Sequence, residues 1–143
     1  MGFLSNLFKK GEDPDKSCSD EVLGLMAWSE DDAAWLGDLK GTRFSVSYEC
    51  TKHPSDTVVG YAREILSDPG WLASTLAEAK GRAKQRYGDF YFPEIDSLSF
   101  GRIHFYLHEG QRRIIADLDG GKDERLWRIE YGERRCEGIG CDR

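Results

Sequence analysis

The chain has no run approaching the roughly 18 apolar residues that span a bilayer, which predicts no membrane insertion. Basic residues are not in excess either: 20 Lys and Arg stand against 26 Asp and Glu, a net charge of −6. An acidic chain without a basic stripe lacks the electrostatic footprint of a nucleic-acid binder. Only four cysteines are present, Cys18, Cys50, Cys136 and Cys141, scattered through a chain long enough to fold without staples. They read as thiols, and that usage predicts a cytoplasmic protein. Residues 1–10 place their charges after a short apolar stretch, which is not the layout of a signal peptide. Asn6 stands where a myristoylation motif wants Ser or Thr.

Recognisable chemistry is equally scarce. No Gly-x-Ser-x-Gly occurs, and the three histidines lie in no triad context. Gly120-Gly121-Lys122 lacks the earlier glycine, the following Ser or Thr and the helix of a phosphate loop. Gly138 and Gly140 lack the third glycine of a dinucleotide fingerprint. His104 and His108 alternate with Ile103, Phe105 and Leu107, so they belong to a strand. On a strand, four residues separate them by roughly 13 Å, too far for one zinc. Cys136 and Cys141 enclose four residues, with no second cysteine pair to complete a zinc site. The residues therefore predict no cofactor, no metal and no catalytic group.

What is present is patterned apolar sequence. Residues 1–10 form a short amphipathic segment carrying Phe3, Leu4, Leu7 and Phe8, and residues 11–20 read as a linker. The first segment either docks on the domain, frays, or makes weak peripheral contact with a membrane. Residues 21–143 then read as one domain. Val22–Trp28, Ala34–Leu39 and Thr42–Cys50 are strand-like, the last alternating Phe44, Val46, Tyr48 and Cys50 with polar residues. Helical spacing follows. Val58, Val59, Ala62, Ile65 and Leu66 share one face of a first helix. A second, from Asp68-Pro69 to Gly88, carries Leu72, Leu76, Ala79 and Ala83. Strands resume at Ile95–Phe100 running into Arg102–Leu107, then Arg112–Leu118, Arg125–Tyr131 and Arg134–Ile139. A β-meander, two helices and a second β-meander predict an α+β fold, a mainly antiparallel sheet with the helices packed on one face. Phe44, Val46, Leu72, Leu76, Phe105 and Trp127 are its expected core.

Two surface features point to partner binding. Residues 12–38 hold nine acids against Lys16 alone, a net −8 that leaves the rest of the chain at +2. Glu30, Asp31 and Asp32 crowd one turn there and would attract a basic partner. The second feature is the far face of the final strands, where Arg102, His104, Tyr106 and Arg128 point outward, residue types suited to a protein interface.

Leu23-Gly24 with Trp28, Trp35-Leu36-Gly37, Gly41, Leu126-Trp127 and Gly138-Ile139-Gly140 resemble the "Leu-Gly … Trp … Gly" hairpins of a group of uncharacterised bacterial domains. Members of that group often accompany polymorphic toxins as presumed immunity proteins. The resemblance implies a non-catalytic cytoplasmic binder that blocks a toxin, and the acidic N-terminal third is compatible with a basic one. An unrecognised enzyme or a small-ligand-binding domain is the alternative.

Overall fold

The computed structural model describes residues 16–50, 53–123 and 125–142, with the side chains of Glu49 and Cys50 left out. The expectations for residues 1–15 and for the Cys50 side chain lie outside the described residues. The chain is α+β. Strands β1 (Ser17–Asp20), β2 (Gly24–Ser29), β3 (Ala34–Leu39) and β4 (Thr42–Val46) form the first meander. A small hairpin of β5 (Tyr48–Cys50) and β6 (His53–Pro54) leads to helices α1 (Asp56–Leu66), α2 (Pro69–Tyr87) and α3 (Phe92–Ser97). Strands β7 (Ser99–His108), β8 (Gln111–Asp119), β9 (Leu126–Gly132) and β10 (Arg135–Asp142) form the second meander. One eight-stranded sheet results, in the order β1-β2-β3-β4-β7-β8-β9-β10. Every pairing in it is antiparallel except β4 with β7, where the meanders join.

Period-two alternation dictates which side each residue takes. Trp35, Val46, Phe105, Ile114, Tyr131 and Cys136 are successive register partners across six strands, and all are buried. Phe44, Ile103, Ala116, Ile129 and Ile139 make a second buried row. Helix α1 covers these rows with Val58, Val59, Tyr61, Ala62, Ile65 and Leu66, and Ser55 caps it by accepting from the Val58 N–H at 3.4 Å. Helix α2 starts as its Asp-Pro pair predicts: Asp68 Oδ1 accepts from the Trp71 N–H at 3.1 Å. Gly88, at φ 82°, ends it.

Three local expectations are corrected. Ser17–Asp20, read as the end of a linker, is a strand paired with β2, while Val22 and Leu23 lie in the turn. That turn is held by Asp20, whose carboxylate accepts from the Val22 and Leu23 N–H groups at 2.9 Å and pairs with Arg63 of α1. Leu72 and Leu76 are half-buried instead of central. Helix α2 turns its small residues Thr75, Ala79 and Ala83 inward, which leaves the leucines at the boundary. Ile95–Ser97, read as strand, is helical, because Pro93 favours the first turn of a helix and Glu94 is anchored there.

Glu94 is 3% exposed and its carboxylate is fully engaged. It receives the Arg125 guanidinium, the Trp127 Nε1–H at 2.5 Å and the Lys122 N–H at 3.1 Å. Arg125 in turn lies over the Tyr91 ring at 5.1 Å. The Arg125 hydrogen bonds are the largest influence on Glu94, holding its carboxyl down at about 2 against the opposing effect of burial. At the sheet's far edge Arg82 and Arg86 of α2 donate to the β10 carbonyls of Cys136 and Ile139, at 2.9 and 3.3 Å.

Two outcomes follow for stability. Trp127→Ala, which removes a fully buried indole and a Glu94 donor, lowers unfolding free energy by about 3–5 kcal/mol in urea titrations. Because the Glu94 carboxyl is depressed in the folded state, its contribution is complete above its ordinary value near 4.5 and drains away as pH falls towards about 2. Glu94→Gln therefore destabilises the protein at neutral pH and flattens the acid limb of its stability curve. An unchanged acid limb would show that the pair does not govern it.

Candidate functional site

Among the described residues no helix lies over the opposite side of the sheet, and the same register that builds the core arranges this face. Leu36, Ser45, His104, Ile115, Glu130 and Gly138 are successive partners from β3 to β10. Beside them run Asp38, Arg43 and Arg102 on one side of the bulge in β7, and Asp117, Arg128 and Gly140 on the other. Tyr106, Arg113, Gly132 and Arg135 form a third row.

A groove of about 220 Å³ opens in the middle of this face, lined by Asp32, Ala34, Ser45, Arg102, His104, Ile115, Asp117 and Arg128. Asp32 arrives there from the β2–β3 turn. Ser29 Oγ donates to its carboxylate at 2.9 Å and accepts its N–H at 3.2 Å, while Ala33 takes φ 50° to close the turn. Arg102 then donates to Asp32 at 3.3 Å, and Arg128 to Asp117 at 3.0 Å. Both arginines are thus held against carboxylates and keep further N–H donors for a bound group. His104 sits between them. Its Nδ1 is hydrogen-bonded to Ser45 Oγ and its ring stacks on Tyr106, with centroids 5.5 Å apart and planes 14° from parallel. Burial, then the Arg102 charge, pushes the imidazole below its ordinary value, so at neutral pH it is uncharged. In the neutral ring Nδ1 accepts from the Ser45 hydroxyl in one tautomer and donates to its oxygen in the other.

Of the residues proposed from sequence, the structure brings Asp32, Arg102, His104 and Arg128 together around the groove, with Tyr106 stacked beside it. Glu30 and Asp31 remain apart at the tip of the turn, exposed and without an ion pair among the described residues. Sequence reasoning missed Ser45, Ile115 and Asp117. Asp117 had a usable signal, since an acid at an outward position between two arginine-bearing strands forms a cross-strand pair once the strand order is known.

The groove offers hydrogen-bond donors and acceptors, with one pair of the kind that nucleophilic catalysis uses. Ser45 and His104 are within hydrogen-bond distance, as a nucleophile and its base would be. Ser45, however, is 2% exposed, and no carboxylate hydrogen-bonds the imidazole among the described residues. Among those residues no three His, Cys, Asp or Glu side chains cluster as metal ligands, and Cys18, Cys136 and Cys141 are free thiols. No helix of the described residues is long and apolar enough to cross a membrane. No family model matches the chain, and no curated protein or solved structure matches it.

A titration of the His104 ring followed by nuclear magnetic resonance is expected to show its protonation below the ordinary imidazole value of 6.5. Arg102→Ala, which removes a neighbouring positive charge, moves that midpoint upward. A midpoint that stays put would remove Arg102 as a cause.

Proposed function

We propose that this chain is a non-catalytic protein-binding domain that engages its partner through the face of the sheet opposite the described helices. The observation that carries this reading is the convergence of Asp32, Arg102, His104 and Arg128 on one groove, with the Tyr106 ring beside it. Arginine and tyrosine anchors around a concavity suit a protein interface. The ion pairs on this face, Arg102–Asp32, Arg128–Asp117 and Arg113–Glu137, cancel internally. Glu30 and Asp31 then supply uncompensated negative charge at its margin, which favours a basic partner and speeds its approach. Together with the family resemblance, this supports a role as an immunity protein that occupies a basic toxin.

Capture from the native host identifies the partner, and surface plasmon resonance then gives both rates. Glu30→Gln with Asp31→Asn is expected to slow association, leave dissociation nearly unchanged and alter stability by no more than about 0.5 kcal/mol. Arg102→Ala with Tyr106→Ala instead speeds dissociation by tenfold or more, a loss of about 1.4 kcal/mol or greater. Rates indifferent to both pairs of substitutions would place the interface elsewhere.

The Ser45–His104 contact is the one observation that favours the enzymatic alternative. A fluorophosphonate reagent separates the two readings: covalent labelling of Ser45, abolished by His104→Ala, would establish a hydrolase and end the binding-only proposal.

A further inference from the structure

A hollow of about 520 Å³ opens on the helix side of the sheet, where the first meander meets the α1–α2 junction, against about 220 Å³ for the central groove. Val22, Leu39, Leu66, Pro69 and Leu72 give it apolar walls. Local hydrogen bonds hold those walls in place. Asp20 fixes the turn that carries Val22, and Asp38 Oδ1 accepts the Gly41 N–H at 2.8 Å in the turn after Leu39. The Ser67 N–H donates to the Arg63 carbonyl at 3.1 Å, ending α1 beside Leu66. Apolar surface is nevertheless left over: Val22 is 40% exposed, and Leu39 and Leu72 are only half-buried. The volume falls in the roughly 300–1,000 Å³ range of built binding pockets, and such walls suit apolar side chains.

The chain itself carries a matching segment outside the described residues. Phe3, Leu4, Leu7 and Phe8 recur at helical spacing, in a run too short to hold a helix without a surface to pack on. Its tether limits where it can go. Residues 9–16 link Phe8 to Ser17 at the start of β1, a span of at most about 30 Å. Val22 follows Ser17 by five residues, about 17 Å at full extension, so the hollow lies inside that range. The border at β10 is seven strand spacings from β1, about 34 Å, and lies beyond it. Charge agrees with the same placement. Lys40, which also lines the hollow, makes no ion pair among the described residues, and Glu12 and Asp13 follow Phe8 within the tether. Lys9 and Lys10 have the exposed Glu21 beside Val22 to meet. A short tether also raises the local concentration of its segment to the millimolar range, so modest contacts are enough.

We infer that this hollow is the docking site of the chain's own N-terminal segment, with Phe3, Leu4, Leu7 and Phe8 packed against Val22, Leu39, Leu66 and Leu72. Docking there completes the burial of Leu72, whose helical spacing with Ala79 and Ala83 marks it as a core residue. It also pins the β1–β2 turn to the α1–α2 junction from outside, alongside the Asp20–Arg63 pair. The site lies on the helix side of the sheet and is independent of the partner face proposed above.

The test uses the full chain with labelled Leu and Val methyls and labelled Phe rings. Nuclear Overhauser contacts are expected from the Phe3 and Phe8 rings to the Leu39, Leu66 and Leu72 methyls within one molecule. A full-length variant carrying Phe3→Ser, Leu4→Ser, Leu7→Ser and Phe8→Ser is expected to shift those methyls while leaving the Trp127 indole signal in place. Adding a peptide of residues 1–12 to that variant restores the methyl positions saturably, and the same peptide with the four serines binds at least tenfold more weakly. Absent ring–methyl contacts, contacts found only between differently labelled copies, or hollow methyls unmoved by the serine variant would each overturn the proposal. So would sedimentation of the wild-type chain with phosphatidylserine vesicles that depends on the four apolar residues while the hollow methyls stay put, since it would assign the segment to a membrane. The partner face is judged separately, by partner kinetics of the Arg102 and Tyr106 variants.

Discussion

The parallel pairing of β4 with β7 is the constraint on which the rest of this architecture depends. Antiparallel neighbours are joined by tight turns, but a parallel pair needs a long crossover that leaves the sheet and returns. Here the crossover contains the small β5–β6 hairpin and all three α-helices of the described residues. It covers one side of the sheet, and among the described residues no helix covers the other. Most large apolar members of each strand then face the crossover, and polar members gather on the opposite side together with a few apolar ones such as Leu36 and Ile115. Four strands on each flank of the β4–β7 seam thus become one surface, on which residues as distant in sequence as Asp32 and Arg102 meet.

Much of this was readable because alternation and helical spacing are local signals. The strands from β2 to β4 and from β7 to β10, the two long helices and the outward set of Arg102, His104, Tyr106 and Arg128 all follow from them. The failures have physical causes of the same kind. Ser17–Asp20 is too short and polar to show a period, and its pairing is decided by Asp20, which satisfies a turn and a helix at once. Ile95 looks like a strand residue, yet a proline two residues earlier and a carboxylate tied to Arg125 hold it in a helix. The central groove was legible only as a list of outward residues. Ser45 and Asp117 join it through the strand order, which no local pattern carries.

Charge has two distinct uses in the molecule. The buried Glu94–Arg125 pair satisfies its carboxylate locally, fastening α3 to the β8–β9 connection and to the Trp127 indole. Such a pair contributes order more than net stability, because desolvation offsets much of its attraction. The pairs on the open face are solvent-accessible and individually weak. Their effect is geometric: Asp32 and Asp117 hold two long, flexible side chains in place, so that a partner meets arginines with little freedom left to lose.

The contacts of Arg82 and Arg86 with the β10 carbonyls bear on how the protein lives among its own copies. An eight-residue edge strand with two glycines is a ready template for another chain's backbone. Two guanidinium groups reaching over from α2 occupy the carbonyls that an intruding strand would need. They also place charge along the line of approach. Sheet extension is thereby discouraged at this border while the broad side remains open, so side-chain recognition is favoured over polymerisation.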